Sequence, residues 1–130
     1  MKYKSLFFNN PQDKKAMGKY YPYPVYEKTI GLDDFVTEIS HATSLTSTDV
    51  RAAILEIIEI FHRYLARGHK VKLDDIGTFK VSFKGDGAAK SEDLTASNID
   101  RTTIKVTCVA DAPLNQEMKN EVSFSKISEK

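Results

Sequence analysis

Cysteine is almost absent from this chain, and its scarcity is informative. With Cys108 alone among 130 residues, no intrachain disulfide can form, so disulfide-stapled scaffolds of oxidising compartments are excluded and a cytoplasmic location is expected. Long apolar runs are missing as well, since nothing approaches the ~18 residues of a membrane span. The opening stretch carries Lys2 and Lys4 but only three consecutive apolar residues, Leu6-Phe7-Phe8. That is too few for a signal-peptide core, and export is not expected. An excess of one charge is also lacking: 19 Lys and Arg against 18 Asp and Glu leave +1, which gives no overall attraction to a polyanion.

The constellations of catalysis are missing too. His41, His62 and His69 are spaced 21 and 7 apart, which puts no two on adjacent helical turns, and one cysteine cannot complete a metal site with them. Gly85-Asp86-Gly87-Ala88-Ala89-Lys90-Ser91 ends like a phosphate-binding loop, but Ala89 stands where glycine is needed and no amphipathic helix follows. Asp74-Asp75 reads as a solvated turn, because adjacent strand carboxylates point to opposite faces. Cys108, among apolar neighbours, reads as a buried structural thiol. No nucleophile has a base beside it, so the chain is not read as an enzyme, and no cofactor, metal, membrane or small-molecule substrate is expected.

What is present fits one globular domain: 41% hydrophobic and 28% charged residues. A compact monomer of this size would bury roughly two thirds of its unfolded surface. Charge is uneven along the chain, with residues 1–29 at +4 and residues 30–130 at −3. Tyr3–Phe8 and Lys19–Ile30 read as extended segments. Asn9-Asn10-Pro11-Gln12-Asp13 between them is turn chemistry, which predicts a hairpin. Its tyrosines suit either of two uses, covering one face of a sheet or forming a base-stacking platform, and covering is the commoner use.

From Leu32 the period becomes helical, with Leu32, Phe35, Val36 and Ile39 on one side and Asp33-Asp34 in the first turn. Thr46 with Asp49 predicts a capped start for a second helix. Its stripe of Val50, Ala53, Ile54, Ile57, Ile58, Phe61, Tyr64 and Leu65 runs to Gly68, a natural end. That stripe is wider than one short helix can cover, which points to burial against a second subunit. Strands follow around Val71–Leu73 and Phe79–Phe83, joined by a turn at Asp74–Gly77. Gly85–Ser97 reads as a flexible excursion. A strand over Thr102–Val109 and a helix over Leu114–Val122 complete the order.

Five motifs in this order resemble the HU/IHF-type bacterial DNA-binding proteins, in a longer branch with an N-terminal extension. They are Leu45-Thr46-Ser47-Thr48-Asp49, Gly68-His69-Lys70-Val71-Lys72-Leu73, Ile76-Gly77-Thr78-Phe79, Thr95-Ala96-Ser97-Asn98-Ile99 and Met118-Lys119-Asn120-Glu121-Val122. The resemblance implies an α+β fold. It comprises two N-terminal helices, a three-stranded antiparallel sheet with a β-arm and a short C-terminal helix, preceded by an N-terminal β-hairpin and assembled as an intertwined homodimer. The expected boundaries are 1–29 for the extension, 30–124 for the HU-like domain and 125–130 for a tail.

The same resemblance implies a nucleoid protein that binds duplex DNA mainly through backbone and minor-groove contacts, with weak sequence preference. Lys80, Lys84, Lys90, Arg101 and Lys105 are the expected DNA contacts, although lysines on the outer face of a half-exposed sheet are equally ordinary solubilising residues. Ile54, Ile57, Ile58, Phe61, Leu65 and Phe79 are the expected dimer interface. The family's proline-tipped arm motif is absent, and Ser82–Ile104 sums to −1. Those departures support an alternative, an HU-fold module with little DNA affinity that serves protein interaction or structure.

Overall fold

The structure, a computed structural model, describes residues 1–9, 12 and 18–128. Most of the turn expected at Asn9–Asp13 lies outside the described residues. The chain divides into two units, one formed by Met1–Gly31 with Met118–Lys130 and the other by Leu32–Glu117.

In the first unit β1 (Lys2–Phe8) pairs antiparallel with β2 (Lys19–Val25), as the alternation predicts. Pro22 and Pro24 fall on β2, an edge strand of the β2-β1-β6 sheet, where a missing N–H donor costs no ladder bond. The third strand is β6 (Ser125–Lys126), parallel to β1. The Ser125 amide donates to the Met1 carbonyl at 3.1 Å and the Ile127 amide to the Tyr3 carbonyl at 3.0 Å. Residues with no strand signature of their own thus become a strand because β1 offers them an unpaired edge.

In the second unit α1 (Leu32–Ala42) packs on α2 (Ser47–Ala66), and Val36 of α1 with Val50 and Leu65 of α2 are the buried apolar residues among those described. Arg51 Nη2 joins α2 to Asp33 Oδ1 of α1 at 2.6 Å. The start of α2 is the expected capping box: the Asp49 amide donates to Thr46 Oγ1 and the Thr46 amide to Asp49 Oδ2, each at 3.2 Å. These bonds hold the Asp49 carboxyl below its ordinary pKa, the Thr46 hydroxyl contributing most. At the other end Arg67 caps the helix and Gly68 takes φ +87°, a left-handed conformation that glycine adopts without a side-chain penalty.

The second sheet has the order β3-β4-β5, from Val71–Leu73, Gly77–Gly85 and Ile99–Ala110, and is antiparallel throughout. The turn between β3 and β4 is held from outside, since the Asp75 amide donates to Asp111 Oδ2 and the Asp111 amide to the Ile76 carbonyl, both at 3.0 Å. Gly77 begins β4 where a Cβ would lie 2.8 Å from the Val109 carbonyl oxygen, which explains the glycine of Gly77-Thr78-Phe79. The last helix, α3, spans Ala112–Glu121, starting two residues before the expected Leu114 with Pro113 inside its first turn, where a missing N–H costs no helical bond.

Further expectations change. Strand β5 begins at Ile99 rather than Thr102, because Ile99 and Asp100 find partners in Gly85 and Lys84. The excursion read as flexible contains two single 3-10 turns, Ser91–Asp93 and Ala96–Asn98, the second closed by the Thr95 amide donating to Asn98 Oδ1 at 3.0 Å. Cys108 is exposed, not buried: its apolar neighbours in sequence are strand neighbours, and they do not enclose it.

Apolar surface of α2 stays open in the single chain. Ile57, Ile58 and Leu55 of α2 remain 41 to 51% exposed.

Candidate nucleic-acid interface

Register assigns each residue of the β3-β4-β5 sheet to a face, because directly opposed residues point the same way and neighbours along a strand alternate. Phe79 lies opposite Val71 and Cys108, and Val81 opposite Val106. This apolar face receives α2, where the rings of Phe61 and Phe79 meet edge-on with centroids 4.9 Å apart. The other face carries Lys80 opposite Thr107, Ser82 opposite Lys105, and Lys72 opposite Thr78. Cations and hydroxyls predominate on one side, where the exposed Val109 opposite Thr78 is an apolar exception, and apolar groups on the other.

Of the five residues expected to contact DNA, Lys80 and Lys105 are brought together on that polar face. Lys84 follows on the same side of β4 but stands opposite Asp100. Between Ser82 and Lys84 the register shifts, since the partners move from Lys105 to Asp100 and β5 gains three residues over β4. Arg101 falls in this bulged stretch, and Lys90 precedes the first 3-10 turn of the excursion. All five are exposed, and none forms an ion pair among the described residues.

The bulge is fastened by threonines. Thr103 Oγ1 accepts from the Lys84 amide at 2.8 Å and donates toward the Asp100 carbonyl at 2.6 Å. The Thr102 hydroxyl and amide donate to Asp100 Oδ1 at 2.6 and 3.0 Å, and they hold that carboxyl below its ordinary value, the hydroxyl contributing most. Asp100 therefore stays negative directly across from Lys84, and local positive charge is concentrated nearer the sheet, at Lys80 and Lys105.

Lys72 was missed by sequence reasoning. It is exposed on the lysine face, with Asp74 4.0 Å away. Its signal was its place between Val71 and Leu73, but only the pairing with Thr78 puts it on the same face as the others.

The residues expected at a dimer interface divide by burial. Leu65 is 8% exposed and packed within its own unit, Ile54, Phe61 and Phe79 are half-buried, and Ile57 and Ile58 are open. On the apolar side of the sheet Val106 is 54% exposed. No helix of the described residues is long and apolar enough to cross a membrane.

A family model described as an HU domain fused to wHTH, Ig, or a glycine-rich motif matches residues 1–126. The chain is 36% identical over 55 residues to DNA-binding protein HU of Thermus thermophilus, covering 42% of this chain and 57% of that protein. It is 38% identical over 48 residues to DNA-binding protein HU of Streptococcus mutans serotype c, covering 37% and 53%. The chain thus spans little more than half the length of these curated relatives. A crystal structure from Bacteroides vulgatus, of a candidate bacterial DNA binding protein, shares the fold with a TM-score of 0.62 at 14% identity, covering 99% of this chain and 50% of that one.

Proposed function

We infer the function from kinship: the chain belongs to the HU-HIG family of HU-type DNA-binding proteins. We propose that residues 30–124 act as an HU-like domain, assemble as an intertwined homodimer in the nucleoid, and bind duplex DNA architecturally. In this reading the two β4–β5 arms enter the minor groove. Lys80 and Lys105, supported by Lys84, Lys90 and Arg101, contact phosphates with weak sequence preference.

The observation that carries the reading is the two-sidedness of the β3-β4-β5 sheet: a face of exposed lysines backs onto an apolar face that its own chain leaves open at Val106. A second copy would cover Val106, Ile57 and Ile58 and leave the lysines in solvent. Burial of that kind, at about 25 cal/mol per Å² of apolar surface, is the main source of stability in obligate dimers.

Titration of a random-sequence duplex at ~50 and ~150 mM salt tests it. Binding is expected to weaken steeply with salt, and the joint change of Lys80, Lys84, Arg101 and Lys105 to alanine to flatten that dependence. The charge of Ser82–Ile104, −1, favours a second reading, an HU-fold interaction module with little DNA affinity. Absence of measurable affinity at the lower salt establishes that reading instead.

A further inference from the structure

The β2-β1-β6 sheet also has two unlike faces. Lys4 lies opposite Tyr23, Leu6 opposite Tyr21, and Phe8 opposite Lys19. Lys2, Lys4 and Lys19 therefore share a face with Phe8, Tyr21 and Tyr23. The reverse face carries Tyr3, Phe7, Tyr20, Pro22, Pro24 and Lys126, and an apolar groove of about 700 Å³ opens there that Tyr21 and Tyr23 also line. Lysines thus alternate with rings along β1 and β2 on the first face, whereas the reverse face has its one strand lysine, Lys126, at the β6 edge beside Tyr3.

On the first face the rings are available. Phe8, Tyr21 and Tyr23 are 54, 49 and 48% exposed. Phe8 and Tyr21 meet edge-on with centroids 6.1 Å apart, a contact that engages a face of just one of the two rings. Lys4 Nζ lies 5.9 Å from the centre of the Tyr23 ring, which places a cation beside an aromatic surface. Lys19 makes no ion pair among the described residues. Lys2 pairs with Glu27 at 3.3 Å through side chains 54 and 76% exposed, a contact too open to hold it against a phosphate.

Exposed rings give bases a stacking surface, and adjacent cations follow a phosphate backbone. A duplex keeps its bases stacked on one another and leaves such rings unused. An acidic peptide would meet the lysines but leave the rings wet. We propose that this face binds single-stranded nucleic acid, with Tyr21, Tyr23 and Phe8 stacking on bases and Lys4 and Lys19 contacting phosphates. Tyr21 and Tyr23 are two residues apart on one strand, about 7 Å, so each ring serves its own base. The proposal concerns the first unit and stands independently of duplex binding by the second.

The test is fluorescence anisotropy of a labelled oligothymidylate about twelve nucleotides long, with a duplex and polyglutamate in parallel, at ~50 and ~150 mM salt. Y21A/Y23A is expected to weaken oligothymidylate binding about tenfold or more and leave duplex binding unchanged. Y21F/Y23F, which keeps both rings, should bind like the parent. K4Q/K19Q should reduce the salt slope by about 1.4, near 0.7 for each phosphate left without its lysine. K80A/K105A should weaken the duplex alone.

Undiminished binding by Y21A/Y23A overturns the proposal, as does loss in Y21F/Y23F or polyglutamate binding that matches the oligonucleotide. If Y21A/Y23A fails to fold, the Phe and Gln variants still decide. Loss of duplex binding with oligothymidylate binding intact overturns the arm reading and leaves this one standing.

Discussion

The two three-stranded sheets use the same ingredients in different registers. In β2-β1-β6 the lysines share their face with rings, as in Lys4 opposite Tyr23. In β3-β4-β5 the lysines share theirs with Ser82, Thr78 and Thr107, while Phe79 and Val81 turn to the other side. The first face suits unstacked bases, and the second suits a phosphate backbone. Net charge hides this distinction, because a binding surface depends on which side chains share a face and not on the segment's sum.

The sharpest way to break the comparison is to remove what each sheet rests on. Changing Ile57 or Phe61 to glutamate buries a charge where the second unit meets its proposed partner. The expected result is unfolding of the β3-β4-β5 sheet, with the antiparallel β1–β2 pairing retained in NMR spectra. A soluble, cooperatively melting monomer in sedimentation would refute the dimer.

A smaller effect, confined to the second sheet, comes from Gly77→Ala. Its Cβ would meet the Val109 carbonyl oxygen at 2.8 Å, and β4 or β5 must shift. The expected cost is about 1–3 kcal/mol, read from denaturant midpoints, with tyrosine signals of the first sheet unmoved.

The comparison is sharpened by Lys80→Ala and Lys105→Ala. Each should weaken duplex binding uniformly across sequences and reduce its salt slope by about one, with little change in thermal stability. Sequence-dependent losses in a panel of duplexes would show that these lysines read bases instead.

The smallest effect is acid sensitivity. Asp49 and Asp100 both ionise more readily folded than unfolded, held by Thr46 and Thr102. Their contribution is therefore complete above the unfolded carboxyl value of about 4 and is lost as pH falls through the lower folded values. Thr102→Val should reduce the melting temperature modestly at neutral pH, and the difference from the parent should shrink near pH 3. An equal difference at both values would mean that the hydroxyl acts without the carboxylate's charge.

Much of the local structure was legible because its causes are local. Thr46 and Asp49 are three residues apart and cap α2 as that spacing requires, and Gly68 takes the left-handed conformation that ends it. Tyr3–Phe8 and the proline-bearing β2 form their hairpin from alternation alone. Five motifs in order, those around Gly77 and Val71 among them, were enough to indicate the family. The excursion was harder, since Gly, Ser and Ala announce an absence of core and say little about which side chains will close a turn; Thr95 and Asn98 did so.

The sequence by itself determined the helices, the ends of α2, most strand positions and the segment that carries the excess lysines, because propensity, capping and periodicity act over a few residues. Tertiary structure decided the rest. It recruited Ser125 and Lys126 to the open edge of β1, extended β5 back to Ile99 and exposed Cys108. It also set Lys72 on the same face as Lys80 and Lys105 while placing Asp100 across from Lys84. Each of these depends on the register between strands distant in sequence, which is fixed by backbone hydrogen bonds and packing across the whole sheet, and no short window of residues encodes it.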